Sequence, residues 1–180
     1  MESLLPIRTV RIQSLLCHGV PTLTHRYYTN SKLGPRLKVV ALIDPALDRA
    51  SAVLQKKRDS FVVSAYQNTA MYKSIDDFAR SMRPEDKPRV IVVGSPPHWR
   101  GSDQPGRDLE LKLLQYFPDV ALFIEKPVAT GPYTIAMDIG RKIQDAGNVC
   151  SVGCVLFFLQ AGANIDAVAG TCCATSRPFR

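Results

Sequence analysis

The 180-residue sequence predicts an α/β fold, a doubly wound parallel sheet with helices on both faces. Three observations predict it. Apolar runs at 37–43, 89–93 and 120–124 are short, hold at most one charge each and lack in–out alternation, as strands covered on both faces do. Stretches with apolar residues at helical spacing lie between them. Each run also ends in turn residues: Asp44-Pro45, Gly94-Ser95-Pro96 and Glu125-Lys126-Pro127. Strands that alternate with helical stretches of roughly ten to fifteen residues build βαβ units and hence a parallel sheet.

The elements follow in order. Residues 9–16 give a possible first strand within an atypical N-terminal segment, 1–32. After the strand at 37–43, Pro45 suits a helix start, and Ala46, Ala50, Val53 and Leu54 recur at helical spacing. Lys56-Lys57-Arg58 falls at that helix's C-terminal end, where positive charge complements the dipole, so the run reads as a solvated cap. Ser60-Phe-Val-Val-Ser64 reads as a second short strand. Ser74 is an expected N-cap, with Asp76 and Asp77 in the first turn of a helix through Met82. The strand at 89–93 leads to a helix at 108–117 with Leu109, Leu113 and Leu114 inward. The strand at 120–124 is followed by a helix at 133–146 and a strand at 149–158. Residues 33–153 are thus the expected domain, and 154–180 an atypical tail.

Composition narrows the function classes. A hydrophobic fraction of 46% and a charged fraction of 22% suit a globular chain. The net charge of +7 sits mostly in residues 1–40, and 41–150 is nearly balanced at +1, so no basic face for nucleic acid is expected. The most apolar stretch, 149–170, contains Gln160, Asn164 and Asp166, which argues against a membrane span. Cys17, Cys150, Cys154, Cys172 and Cys173 form no C-x-x-C pair and no zinc spacing; they read as reduced, small buried hydrophobes of a cytoplasmic protein. Arg8, Arg11 and Arg26 with Glu2 as the one acid before residue 29 faintly resemble a mitochondrial presequence, the lesser expectation.

Ligands of open parallel sheets bind beyond the carboxyl ends of the strands. Asp44 at such an end can accept the ribose hydroxyls of an adenosine and repels a 2′-phosphate, which favours NAD over NADP; the plainer reading is a helix N-cap. Gly94-Ser95-Pro96-Pro97-His98 is a stiff turn, and a histidine there is more often packing than catalysis. Glu125-Lys126-Pro127 sets opposite charges at the end of a buried strand, which is costly unless they meet a partner or a ligand. Lys126 can hydrogen-bond a hydroxyl or carbonyl, and Glu125 can orient it or contact a nicotinamide ribose. A salt-bridged strand end is the bland alternative.

Taken in order, Val39-Val-Ala-Leu-Ile-Asp-Pro45, Tyr72-Lys-Ser-Ile-Asp-Asp-Phe78, the turn with His98, Ile124-Glu-Lys-Pro-Val-Ala-Thr-Gly131 and Ser151-Val-Gly153 resemble the glucose–fructose oxidoreductase and inositol dehydrogenase family, Gfo/Idh/MocA, over residues 33–153. Leu33-Gly-Pro-Arg-Leu-Lys-Val-Val40 is similar to a fungal branch. The resemblance implies a Rossmann-like sheet and an NAD(P)-dependent oxidoreductase that transfers hydride at a hydroxyl of a sugar, polyol or related small molecule. It implies Lys126 as the catalytic residue. Asp44, Pro45, Ser95, Pro96, His98, Glu125 and Lys126 are the implied cofactor contacts, with no metal. A second copy or a full-length relative is the expected protein partner.

Two departures shape a further expectation. Only Gly19 and Gly34 precede Asp44, so no Gly-x-Gly-x-x-Gly turn follows the first-strand run, which would enter Cys17-His18-Gly19 instead. After Gly153 the sequence reads Cys154-Val-Leu-Phe-Phe-Leu-Gln160, unlike the family's continuation into a large second domain. The sequence therefore predicts an incomplete Rossmann-like sheet, altered in its first strand and glycine-rich turn and lacking the C-terminal domain. It is expected to be a truncated or aberrantly read form with impaired cofactor binding and activity. The alternative is a non-catalytic nucleotide-sensing or partner-binding module.

Overall fold

Strand β2 (Leu37–Ile43) shows why the sheet is covered on both sides. Leu37, Val39 and Leu42 pack into one apolar cluster, while Ala41 and Ile43 pack into another on the opposite face. The same division splits Val90 and Val92 from Ile91 and Val93. Apolar side chains on both sides of these strands force helices onto both faces, and in β2 the alternation shifts phase at Val40, which the β1 register skips. The computed structural model describes residues 36–153 in full and residues 10–16 as backbone.

Among the described residues six strands form the sheet, in the order β3-β2-β1-β4-β5-β6, and every pairing is parallel. They are β1 (Val10–Leu16), β2, β3 (Ala70–Tyr72), β4 (Val90–Gly94), β5 (Ala121–Glu125) and β6 (Cys150–Gly153). Helices α1 (Leu47–Arg58) and α2 (Val63–Tyr66) cover one face. Helices α3 (Ile75–Ser81), α4 (Leu109–Tyr116) and α5 (Tyr133–Asp145) cover the other, where Phe78 and Phe117 meet at 5.6 Å between ring centroids. This is the Rossmann-like, doubly wound sheet expected from the sequence.

The first-strand slot is filled. β1 lies at the centre, with Leu15 beside both Ile43 and Val93, and its register slips once between Ile12 and Gln13. Cys17-His18-Gly19, Gly34 and the residues from Cys154 onward lie outside the described residues.

Three expectations are corrected. Residues 60–64 are not a strand: they lead into α2, and the strand is at Ala70–Tyr72. Val62, Ala65 and Tyr66 bury themselves at helical spacing, and the Ser60 hydroxyl donates to the Lys57 carbonyl at 2.8 Å, turning the chain as α1 ends. The basic run is not merely solvated. Lys57 is buried with its ammonium 6.0 Å from the Tyr66 ring centroid, and Arg58 donates to the carbonyls of Tyr66, Gln67 and Thr69. Cys150 is exposed rather than buried, because β6 is the sheet edge.

Ser74 caps α3 as expected, its hydroxyl accepting the Asp77 N–H at 3.1 Å. Ser74→Ala is expected to lower unfolding free energy by about 1 kcal/mol, measured by urea denaturation.

Candidate functional site

Parallel register brings the strand ends to one edge. Tyr72, Ile43, Leu15, Val93, Ile124 and Val152 form a row across all six strands. The next residue on each strand supplies Lys73, Asp44, Leu16, Gly94, Glu125 and Gly153. Asp44, the turn from Gly94 to His98 and Glu125-Lys126-Pro127 therefore share this edge, as the sequence suggests.

Asp44 is fully buried. Its carboxylate accepts the Ala46 N–H at 2.8 Å and a two-pronged contact from Arg49, Nη2 to Oδ1 at 2.8 Å and Nε to Oδ2 at 3.2 Å. It thus fixes the turn that leads into α1, whose N-cap is Ala46 rather than Asp44, and is charge-compensated from the first turn of that helix. Oδ2 retains acceptor capacity for one more donor. Pro45 lies beside it, exposed.

A cavity of about 320 Å³ opens between the ends of β2 and β4 on the α3 and α4 face, within the roughly 300–1,000 Å³ of small-molecule sites. Ile43, Pro45, Ile75, Trp99 and Leu109 give apolar walls; Lys73, Ser95 and Lys112 contribute polar groups. Ser95 is buried, and its hydroxyl has no partner among the described residues. An orphaned buried hydroxyl beside the flat Trp99 ring suits a planar ligand carrying nitrogen or oxygen at its edge. The residues present therefore fit the adenine end of a dinucleotide.

The stiff turn forms a short 3-10 helix at Pro97–Trp99, with Pro96 preceding it. His98 is exposed, edge-on to Trp99 at 5.2 Å between ring centroids. Lys126 is exposed at the far end of the row, and its N–H donates to the Gly153 carbonyl at 3.1 Å. Between them lies a buried group that the sequence reading missed. Arg100 donates from Nε to the Ser95 carbonyl at 2.7 Å and from Nη1 to the Val128 carbonyl at 3.4 Å. Glu110 is fully buried and accepts the Gly101 N–H at 2.9 Å, while its second oxygen and Glu125 Oε1 have no partner among the described residues. Burial pushes both carboxyls above the usual range, opposed in part by Arg100, and for Glu110 first by the Gly101 N–H. Burial pushes the Arg100 guanidinium down, against the pull of both glutamates.

Among the described residues no group of His, Cys, Asp and Glu could hold a metal, and no helix is long and apolar enough to cross a membrane.

Comparison with known proteins follows the same outline. Two uncharacterized Schizosaccharomyces pombe proteins, UNK4.17 and C12C2.04, are 40% and 35% identical to 71% of this chain. The chain spans only 32% and 34% of their lengths. Among solved structures, WlbA dehydrogenase from Chromobacterium violaceum, in complex with NADH and UDP-GlcNAcA, superposes with a TM-score of 0.59 at 12% identity, over 81% of this chain and 35% of that one. The super-repressor mutant of Gal80p from Saccharomyces cerevisiae gives 0.57 at 16%, over 79% and 34%. Myo-inositol 2-dehydrogenase from Lactobacillus plantarum gives 0.56 at 13%, over 91% and 40%. These likenesses establish the fold. Residues 19–154 match the oxidoreductase family with an NAD-binding Rossmann fold, and the chain belongs to that family, Gfo/Idh/MocA.

Proposed function

We propose that residues 33–153 bind NAD, with adenine in the cavity beside Ser95 and Trp99 and the nicotinamide end near Glu125 and Lys126. One observation carries this reading: Ser95, whose buried hydroxyl has no partner among the described residues, lines a cavity on the edge that also bears Asp44 and Lys126. Asp44 would meet a ribose hydroxyl through Oδ2, with Arg49 holding the carboxylate in place. Pro45, Pro96 and His98 would flank the adenosine. The proposed activity of the whole protein is oxidation or reduction at a hydroxyl of a sugar-like small molecule. The cofactor, when bound, supplies the hydride acceptor or donor. Lys126 Nζ would hydrogen-bond the substrate oxygen and assist movement of its proton. Glu125 would orient that lysine.

Trp99, the chain's sole tryptophan, lines the cavity and reports on it. Titration with NADH should quench its fluorescence to saturation in the micromolar range, on the order of −8 kcal/mol of binding free energy. A folded protein with no saturable change up to about millimolar NADH, where binding is worth only about −4 kcal/mol, would sink the reading. Asp44→Ala should weaken NADH by about tenfold and NADPH by less, because the lost acceptor serves only the free 2′-hydroxyl. The reverse order would remove Asp44 from its assigned place.

A further inference from the structure

Segment 99–107 lies between the β4 turn and the loop after Lys126, and two arginines in it reach both. Arg100 joins the Ser95 carbonyl to the Val128 carbonyl. Arg107 donates from Nε to the His98 carbonyl at 3.3 Å and from Nη2 to the Thr130 hydroxyl at 2.7 Å. Between them Gly101 comes so close to the same loop that a methyl group there would lie 2.5 Å from the Ala129 Cβ. On its other flank Lys126 is tied to β6 through the Gly153 carbonyl. The loop that carries the lysine is thus fixed on both sides.

The chemistry of Arg100 argues for a purpose beyond packing. It is 2% exposed, and no acid makes an ion pair with it among the described residues. Burying a charge without a direct counter-ion is expensive, and an apolar side chain of similar volume would fill the space at lower cost. What an apolar side chain cannot do is hold two carbonyls from the turns after different strands, which the guanidinium fork does. Arg107 repeats the connection at the surface.

We propose that Arg100 and Arg107 are positioning residues that hold the Glu-Lys-Pro loop against the β4 turn, so that the Lys126 amine faces the cofactor cleft. This rests on the reading of Lys126 as the group that meets nicotinamide and substrate. It is tested on the full chain with lysines carrying ¹³C-methyl labels, followed by NMR. The Lys126 signal is the one lost in Lys126→Arg. Arg100→Gln and Arg107→Gln should each displace that signal, and Arg100→Gln should weaken NADH by about tenfold. Ser60→Ala, a control that removes a hydrogen bond on the α1 and α2 side of the sheet, should move neither the signal nor the affinity. A Lys126 signal in Arg100→Gln that coincides with wild type overturns the proposal, and if that variant does not fold, the same result in Arg107→Gln does. Failure of every form to bind NADH removes the cofactor reading alone. The position of the Lys126 signal then still decides whether the arginines set it.

Discussion

Gly101→Ala is expected to lower the unfolding free energy by about 3 kcal/mol, from a left-handed backbone penalty of about 1–2 kcal/mol plus overpacking of similar size. Gly101 has φ of +74°, which L side chains adopt at a cost. A methyl group there would also lie 2.7 Å from the Val128 carbonyl oxygen and 3.0 Å from the Ala129 Cα. Backbone cannot yield as a side-chain tip can, so the loop after Lys126 has to move. Urea denaturation followed by circular dichroism measures the loss. A change under about 1 kcal/mol would mean that the two segments separate freely and that the contact is not a constraint.

Glu110→Ala is expected to have a comparable effect, about 3 kcal/mol, because the buried Gly101 N–H loses its acceptor and Arg100 loses a nearby opposite charge. Glu110→Gln separates the two losses, since an amide oxygen still accepts from Gly101. The effect of pH has a definite sign. Burial holds the Glu110 carboxyl above its ordinary range, so the folded chain keeps this proton more tightly than the unfolded chain. That stabilisation is fully present below the ordinary glutamate value of 4.5 and is lost as pH rises from there through the raised folded value. Glutamine fixes the neutral form at every pH. The stability deficit of Glu110→Gln should therefore be largest near pH 4.5 and shrink towards pH 8. A deficit that grows with pH would show that the charged carboxylate is the form the fold prefers.

Much of the sheet is legible because doubly buried strands leave uninterrupted apolar runs, as in β2, β4 and β5. β3 is not legible, being three residues, Ala70–Tyr72, at the edge. Its place in the sequence is obscured by Phe61-Val62-Val63, whose β-branched composition suggests a strand while the spacing of Val62, Ala65 and Tyr66 is helical. The strand-end residues Asp44, Ser95 and Lys126 could be placed together because register follows from parallel topology. What surrounds them could not. Arg49 as the partner of Asp44 is a contact between a strand end and the first turn of the helix that follows, hidden behind an ordinary surface composition. Glu110 had a usable signal. It precedes Leu113, Leu114 and Phe117 at spacings of three, four and seven, so a carboxylate occupies the inward face of α4. Arg100 had none, because a single arginine in a loop reads as solvated until its burial is seen.

The central position of β1 bears on how the chain is made. β1 precedes every strand it touches, and its second neighbour, β4, begins at residue 90. On the ribosome, β1 and β2 can pair early, but the β4 side of β1 stays open until Gly94 has left the exit tunnel. A nascent chain stalled between these points carries an unpaired edge in the middle of its future sheet, a template for pairing with other chains. Synthesis speed across residues 44–94 thus sets how long that edge stays open.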